Sequence, residues 1–345
     1  MNKSLVQDLD NYLLLHSQRI LNLSFTPTEV SIRPHETVWF ANLRSGDETR
    51  DLVVKEQSKY GVGGLESLFS VHCQLRKRIP FVSDRTVEFL GIDSDRSLLF
   101  LEAVQGLSLT ELLQRSFRQR APAFFAAETL DQLARVLSAV HDLEPTDLGL
   151  APALRPYEEL RIDLQKKLED PAISRWLPAR YRRLDSFYRR LQEPLWDESS
   201  ERLLFADLQP KNILVRPDGR ICLIDIDYYL GRPAWNLAGT LVNLDLLAIR
   251  RPTGPSLRIT ANWKRILVDS YMATLSSDGR QIAEELVFFY PWSLLRLYRQ
   301  HLQRRAFMKP FLSWFYCRLL TYFFSELEGR PETAPYYSGL KVALD

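Results

Sequence analysis

Two carboxylates and one amide at fixed intervals are the feature of this 345-residue chain best suited to chemistry. In "FADLQPKNILVRPDGRICLIDID", Phe205 to Asp227, Asp207 and Asn212 lie five positions apart, and Asp225 follows Asn212 by thirteen. The "PDG" turn between "NILVR" and "ICLIDI" predicts a hairpin. A hairpin of that length returns the chain beside its start, so Asn212 and Asp225 can converge through oxygen atoms on one hard cation, with Asp207 adjacent. Phosphoryl transfer requires such a set: a carboxylate to orient the attacking hydroxyl and take its proton, and oxygen ligands for the metal that bridges nucleotide phosphates. The bland alternative for each acid is an N-cap or a surface carboxylate, and it loses force because several positions must match together.

The elements that would hold these residues can be read outward from them. Upstream, "LVVKE" sets Lys55 in an otherwise apolar strand, where a solvated edge lysine is the competing reading. Short β-branched and aromatic runs, "EVSIRP", "TVWFANLR" and "RDLVVKEQ", predict a meander with a turn at Ser45-Gly46-Asp47. After "YGVGG", Leu65, Leu68, Phe69, His72, Leu75 and Ile79 recur at helical spacing, and "RTVEFLGID" and "SLLFLEAV" read as two more strands. An amphipathic helix within residues 1–25 is thus followed by a five-stranded sheet with one helix over 26–104. From Gly106 the periodicity is helical, most clearly in "ETLDQLARVLSAVHDL", so residues 105–345 form a mainly helical lobe that carries the loop and the acceptor site. Segregated strands and helices predict an α+β, bilobal layout.

Asp207, Pro210, Asn212 and Asp225 resemble, in identity and spacing, the catalytic loop and metal strand of the protein-kinase-like fold as found in aminoglycoside phosphotransferases and related small-molecule kinases, whose pattern is H-G-D-x-x-P-x-N followed by an I-D-x-D or D-F-G-like strand. The resemblance implies that Asp207 is the catalytic base, that Asn212 and Asp225 hold Mg, and that Asp227 is a second acid at the metal. It also implies that Lys55 meets the phosphates of ATP or GTP, that Glu66 on the following helix pairs with that lysine, and that the backbone of Glu102, Ala103 and Val104 meets the base. By order of elements it extends over roughly residues 28–240. Three positions depart from the pattern. Phe205 replaces a histidine that bonds nearby backbone, Asn236 in "AWNLA" replaces a loop-bracing aspartate, and "RPHET" has no glycine to bring backbone close to phosphates.

Composition narrows the function. Lysine and arginine number 45 against 43 acids, a net charge of +2, so the chain is not a polyanion-binding protein overall and nucleic acid is not the expected partner. Cys73, Cys222 and Cys317 are far apart, without the spacing of a disulfide framework or a zinc site. Asp8, Asp10, His16 and Arg19 break any signal-peptide core in the first helix. Lys309 and Arg318 interrupt the aromatic run Phe307 to Phe324, which is shorter than the ~20 residues of a spanning helix, so no transmembrane segment and a cytoplasmic location are expected. "RWLPARYRRLDSFYRR" and "RLYRQHLQRRAFMK" interleave arginine with aromatics, which suits an anionic or glycan-like acceptor, or RNA; a solvated helix face with core aromatics is the plainer reading. No acidic run offers a cleft to a polycation. The sequence therefore points to an ATP- or GTP- and Mg-dependent kinase acting on a hydroxyl of a small metabolite or carbohydrate. The alternatives are an inactive scaffold of the same fold that binds a protein partner, and a kinase acting on a protein or tRNA.

Overall fold

Alternation along the strands sorts the first lobe into two faces. In the computed structural model, which describes residues 3–35, 38–57, 64–119, 124–150, 157–182, 201–250, 254–275, 279–304 and 306–327, five strands form an antiparallel sheet in the order β1-β2-β3-β5-β4. They are β1 (Glu29–His35), β2 (Val38–Ser45), β3 (Glu48–Glu56), β4 (Phe89–Asp93) and β5 (Leu98–Glu102). Leu52 and Val54 of β3 join Trp39, Ala41, Leu43, Leu98 and Phe100 in a core closed by Leu9, Tyr12 and Leu13 of helix α1 (Lys3–Ile20). Val53, Leu99 and Leu101 face the other way, with Lys55 in register beside them. Helix α2 (Leu65–Arg78) packs on that second face through Leu65, Leu68, Val71, His72 and Leu75. Its periodicity predicts Phe69 and Ile79 on the face as well; both sit at its half-buried margin, and Val71 lies deeper. Gly91 is required by contact: a Cβ there would lie 2.6 Å from the carbonyl oxygen of Ile20, at the end of α1.

The second lobe is built from α3 (Leu109–Gln119), α4 (Phe124–His141), α5 (Tyr157–Leu168), α6 (Pro233–Leu247), α7 (Gly254–Thr274), α8 (Gly279–Arg304) and α9 (Lys309–Leu327). Helix α6 is apolar nearly all round and is buried among the others. The aromatics of α9, among them Phe315, Tyr316, Phe323 and Phe324, lie in the core. No described helix is long and apolar enough to cross a membrane.

Short strands set the loop between the lobes. The expected hairpin is β8 (Ile213–Val215) with β9 (Ile221–Leu223), closed by Gly219 at φ +83°, and β6 (Leu107–Ser108) adds to its edge. A second pair escapes the sequence reading: β7 (Arg202–Phe205) lies antiparallel to β10 (Tyr228–Gly231), with Phe205 opposite Tyr228. The lobes meet where Leu223 N donates to Arg85 O at 2.9 Å and Val87 N to Leu223 O at 2.8 Å. They meet again at Gly106, where a Cβ would come within 2.6 Å of Val215 O. Of the arginine-rich stretches, Arg183, Phe187, Tyr188, Arg189, Arg190 and Arg305 lie outside the described residues. Tyr181 is core, stacked on Phe324.

Candidate active site

Asp207 is placed by its own loop. Pro210 opens a single 3₁₀ turn, Pro210–Asn212, where its fixed φ suits the first position and its missing N–H leaves no gap. Asn212 N closes that turn on Gln209 O at 2.8 Å. The buried Asn212 side chain then donates from Nδ2 to Asp207 O and to Asp207 Oδ2, both at 3.1 Å. Its amide nitrogen is spent on Asp207, so its amide oxygen is the atom it can offer a cation.

The hairpin brings the second carboxylate back. Ile224 N donates to Asn212 O at 3.0 Å, which sets Asp225 beside Asn212, and Asp225 Oδ1 forms a direct ion pair with Lys55 Nζ. Asp207, Asn212, Asp225 and Lys55, the lysine 170 residues from Asp225 in sequence, are thus joined by side-chain contacts or adjacent backbone. Asp227 lies just before β10: its Oδ1 accepts from Tyr228 N at 2.8 Å and its carbonyl accepts from Ala206 N at 2.9 Å, tying the segment after β9 to the residue before Asp207. Among the described residues no three of His, Cys, Asp and Glu gather into a self-sufficient metal cage. Asn212 and Asp225, set beside one another, nevertheless offer oxygen donors only, with Asp227 two residues further along, and this chemistry fits Mg drawing its remaining ligands from phosphates and water.

Glu66 is not brought to Lys55. It is exposed in the first turn of α2, and its carboxyl is held below its usual range by a hydrogen bond from Ser94, then by its own backbone N–H. Glu102 is also tied elsewhere: its N–H donates to Glu88 O at 3.0 Å and its carboxylate faces Arg216 at 3.6 Å. Ala103 and Val104 do border a cleft of about 610 Å³ under the β1–β3 face, together with Gln105, Asn42 and Phe40. Phe40, 44% exposed, presents its ring to that cleft, and sequence reading overlooked it. Its signal was available, since a large aromatic on the lysine's face of a strand otherwise marks core.

Two networks replace the supports that Phe205 and Asn236 alter. In the first, Asn236 Nδ2 donates to Phe205 O at 2.7 Å, Asn236 Oδ1 faces His141 Nε2 at 3.2 Å, and His141 Nδ1 faces Tyr271 OH at 2.8 Å. Burial pushes His141 down to about 4, so the ring is neutral near pH 7. An amide oxygen can only accept, so Nε2 carries the hydrogen and Nδ1 accepts from Tyr271. In the second, rings run from the loop into the first lobe: Phe205 beside Tyr228 at 5.5 Å, Tyr228 beside His72 at 6.1 Å, and His72 stacked on Phe89 at 3.8 Å. His72 bonds Tyr228 OH and Val87 O, each at 2.8 Å, and burial pushes it down to about 3. Phe205 thus anchors the loop by packing where a histidine would bond. His72, a polar residue on the apolar face of α2, was the readable sign of this connection.

Residues 86–261 match the family model APH, the phosphotransferase enzyme family. The chain belongs to that family, and is by that membership a kinase, an enzyme that transfers a phosphoryl group to an acceptor hydroxyl. Among solved structures it is similar to a glucosamine kinase, with 17% identity and a TM-score of 0.54 over 86% of this chain and 75% of that one. A second crystal form of glucosamine kinase gives 16%, 0.50, 88% and 81%. An ethanolamine kinase of Plasmodium vivax is similar at 13% and 0.49 over 99% of this chain and 88% of that one. No curated protein matches the chain in sequence.

Proposed function

We propose that the protein moves the γ-phosphoryl group of ATP or GTP to a hydroxyl of a small metabolite or carbohydrate, with residues 26–104 as the nucleotide lobe and 105–345 as the acceptor lobe. The observation that supports this reading is the Lys55–Asp225 ion pair together with the Asn212–Asp207 hydrogen bonds, with Asn212 and Asp225 linked through the Ile224 N–H to Asn212 O bond. The base of the nucleotide enters the cleft under β1–β3, against the Phe40 ring and the backbone of Ala103 and Val104. Lys55 leaves or shares its bond to Asp225 to meet the phosphates. Asn212 through its oxygen, Asp225 and Asp227 would hold Mg, which would supply positive charge against the phosphates.

Asp207 orients the acceptor. One carboxylate oxygen is fixed by Asn212, and the other takes the proton as the hydroxyl oxygen attacks the γ-phosphorus and the bond to the β-phosphate breaks, releasing ADP or GDP. The fold likeness to a glucosamine kinase is in keeping with a sugar-sized acceptor. Asp207→Asn tests the assignment: it abolishes acceptor-dependent ADP release while the rise in melting temperature with ATP and MgCl2 persists. Turnover at the parental rate would show that Asp207 is not the base, and a wild type unmoved by millimolar ATP and MgCl2 would favour the inactive scaffold.

A further inference from the structure

On the helical side of the catalytic loop lies a pocket of about 740 Å³, within the size range of small-ligand sites. It is lined by Gln209, Pro210 and Lys211, which follow Asp207 on the same loop, and by Gln300, His301 and Arg304 at the end of α8. The pocket thus begins two residues beyond Asp207 on its loop and is bounded by the helical lobe, away from the cleft under β1–β3.

The charge of this pocket is one-sided. Lys211 and Arg304 are exposed at it, and His301 is held there by a 2.8 Å bond between Nδ1 and Tyr316 OH. No carboxylate lines it. Apart from Asp207 on the loop itself, acids next to lining residues in sequence are used elsewhere: Glu111 accepts from Ser108 N and Oγ at 2.9 and 2.8 Å, and the buried Asp245 is paired with Lys264 at 2.9 Å. The segments that frame the pocket repeat the bias. Residues 286–325 contain six lysines and arginines and no acid, and 112–127 and 246–268 contain no acid either.

From this we infer that the acceptor is a small hydroxylated anion, a compound whose carboxylate or phosphate group is held by Lys211 and Arg304 while its hydroxyl meets Asp207. The inference rests on the phosphotransferase reading of Asp207. An arginine fork and a lysine ammonium complement a carboxylate or phosphate, whereas a cationic amine would find no counter-charge in the pocket. The hydroxyl oxygen of that anion gains the γ-phosphoryl group, its proton passes to Asp207, and the nucleoside diphosphate leaves. The amides of Gln209 and Gln300 suit its remaining hydroxyls.

The test is ADP release at fixed ATP and MgCl2 with gluconate and glycerol 3-phosphate as anionic acceptors, glucose as a neutral one, glucosamine and ethanolamine as cationic ones, and bulk tRNA as a polymer. Turnover is expected in the anionic arms, with gluconate against glycerol 3-phosphate separating carboxylate from phosphate recognition. The double variant Lys211→Glu with Arg304→Glu should raise KM for the anion about ten-fold or more and leave KM for ATP within about two-fold, with Lys211→Gln and Arg304→Gln showing the same trend if the charge reversal folds poorly. Turnover confined to glucose, an amine or tRNA overturns the inference. So does an anion KM that the variants do not move, or no anionic turnover in a protein whose ATP-induced thermal shift is intact. Loss of that shift in the wild type sinks the phosphotransferase reading itself, and this inference with it.

Discussion

Asn236 reaches from α6 to the carbonyl of Phe205, two residues before Asp207, and donates to it across 2.7 Å. An aspartate at this place could accept from His141 but would have nothing to give Phe205 O. The amide is therefore matched to its two partners, a neutral imidazole that donates and a main-chain carbonyl that accepts.

Asn236→Asp, which restores the residue type of the family pattern, should accordingly harm this protein. Leaving the buried Phe205 carbonyl without its donor is expected to lower unfolding free energy by about 1–3 kcal/mol and acceptor-dependent kcat on the order of ten-fold. Denaturant titration and steady-state kinetics read both. A variant as stable and as active as the parent would mean that the brace does not act on the loop.

Lys55→Met keeps the length of the side chain and removes its charge. Asp225 then loses its partner from β3, and the phosphates lose their lysine. The expected result is a fall of about 100-fold or more in kcat/KM for ATP. Unchanged ATP kinetics would place the nucleotide away from the Lys55–Asp225 pair.

Gly106→Ala probes the junction of the lobes. The new methyl group would stand 2.6 Å from Val215 O, so the linker must move off β8, carrying Ala103 and Val104 with it. A raised KM for ATP with a lowered melting temperature is expected. Parental values for both would show that the linker has room to spare.

His141 gives stability a definite pH slope. Its folded value is lowered from 6.5 to about 4 by burial, so below about pH 6.5 the unfolded chain takes a proton that the folded chain refuses. Stability from this group is intact above pH 6.5 and is lost as pH falls from there toward 4, amounting to roughly 2 kcal/mol by pH 5. His72 adds a loss of the same sign, beginning at the same unfolded value. His141→Gln should flatten the stability difference between pH 7.5 and pH 5 by about that amount. An unaltered slope would mean that the ring is not neutral and buried as described.

Much of the site was legible because it is local. The β8–β9 hairpin is written in one turn and two apolar runs, and it alone fixes the distance from Asn212 to Asp225. The Asp207–Asn212 bond is a consequence of one proline-led turn. What could not be read depends on placement between elements. The resemblance implies that Glu66 pairs with Lys55, but the start of a helix points wherever its packing sends it, and Glu66 meets Ser94. The β7–β10 pair consists of two four-residue runs separated by the whole loop, too short for any periodicity to show. Glu102 ends the strand that the sequence places correctly, and only the pairing with β4 reveals that its N–H is already taken.

The rings of Phe205, Tyr228, His72 and Phe89 come from four separate stretches of the chain yet touch in series. Histidine restored at 205 alone would bury a ring nitrogen where the present neighbour of Phe205 is the face of Tyr228, whose hydroxyl is engaged by His72. The side chain at 205 is therefore set by neighbours from three other stretches, and a histidine there is expected to be tolerated only together with a change at Tyr228 or His72 that frees a partner for it.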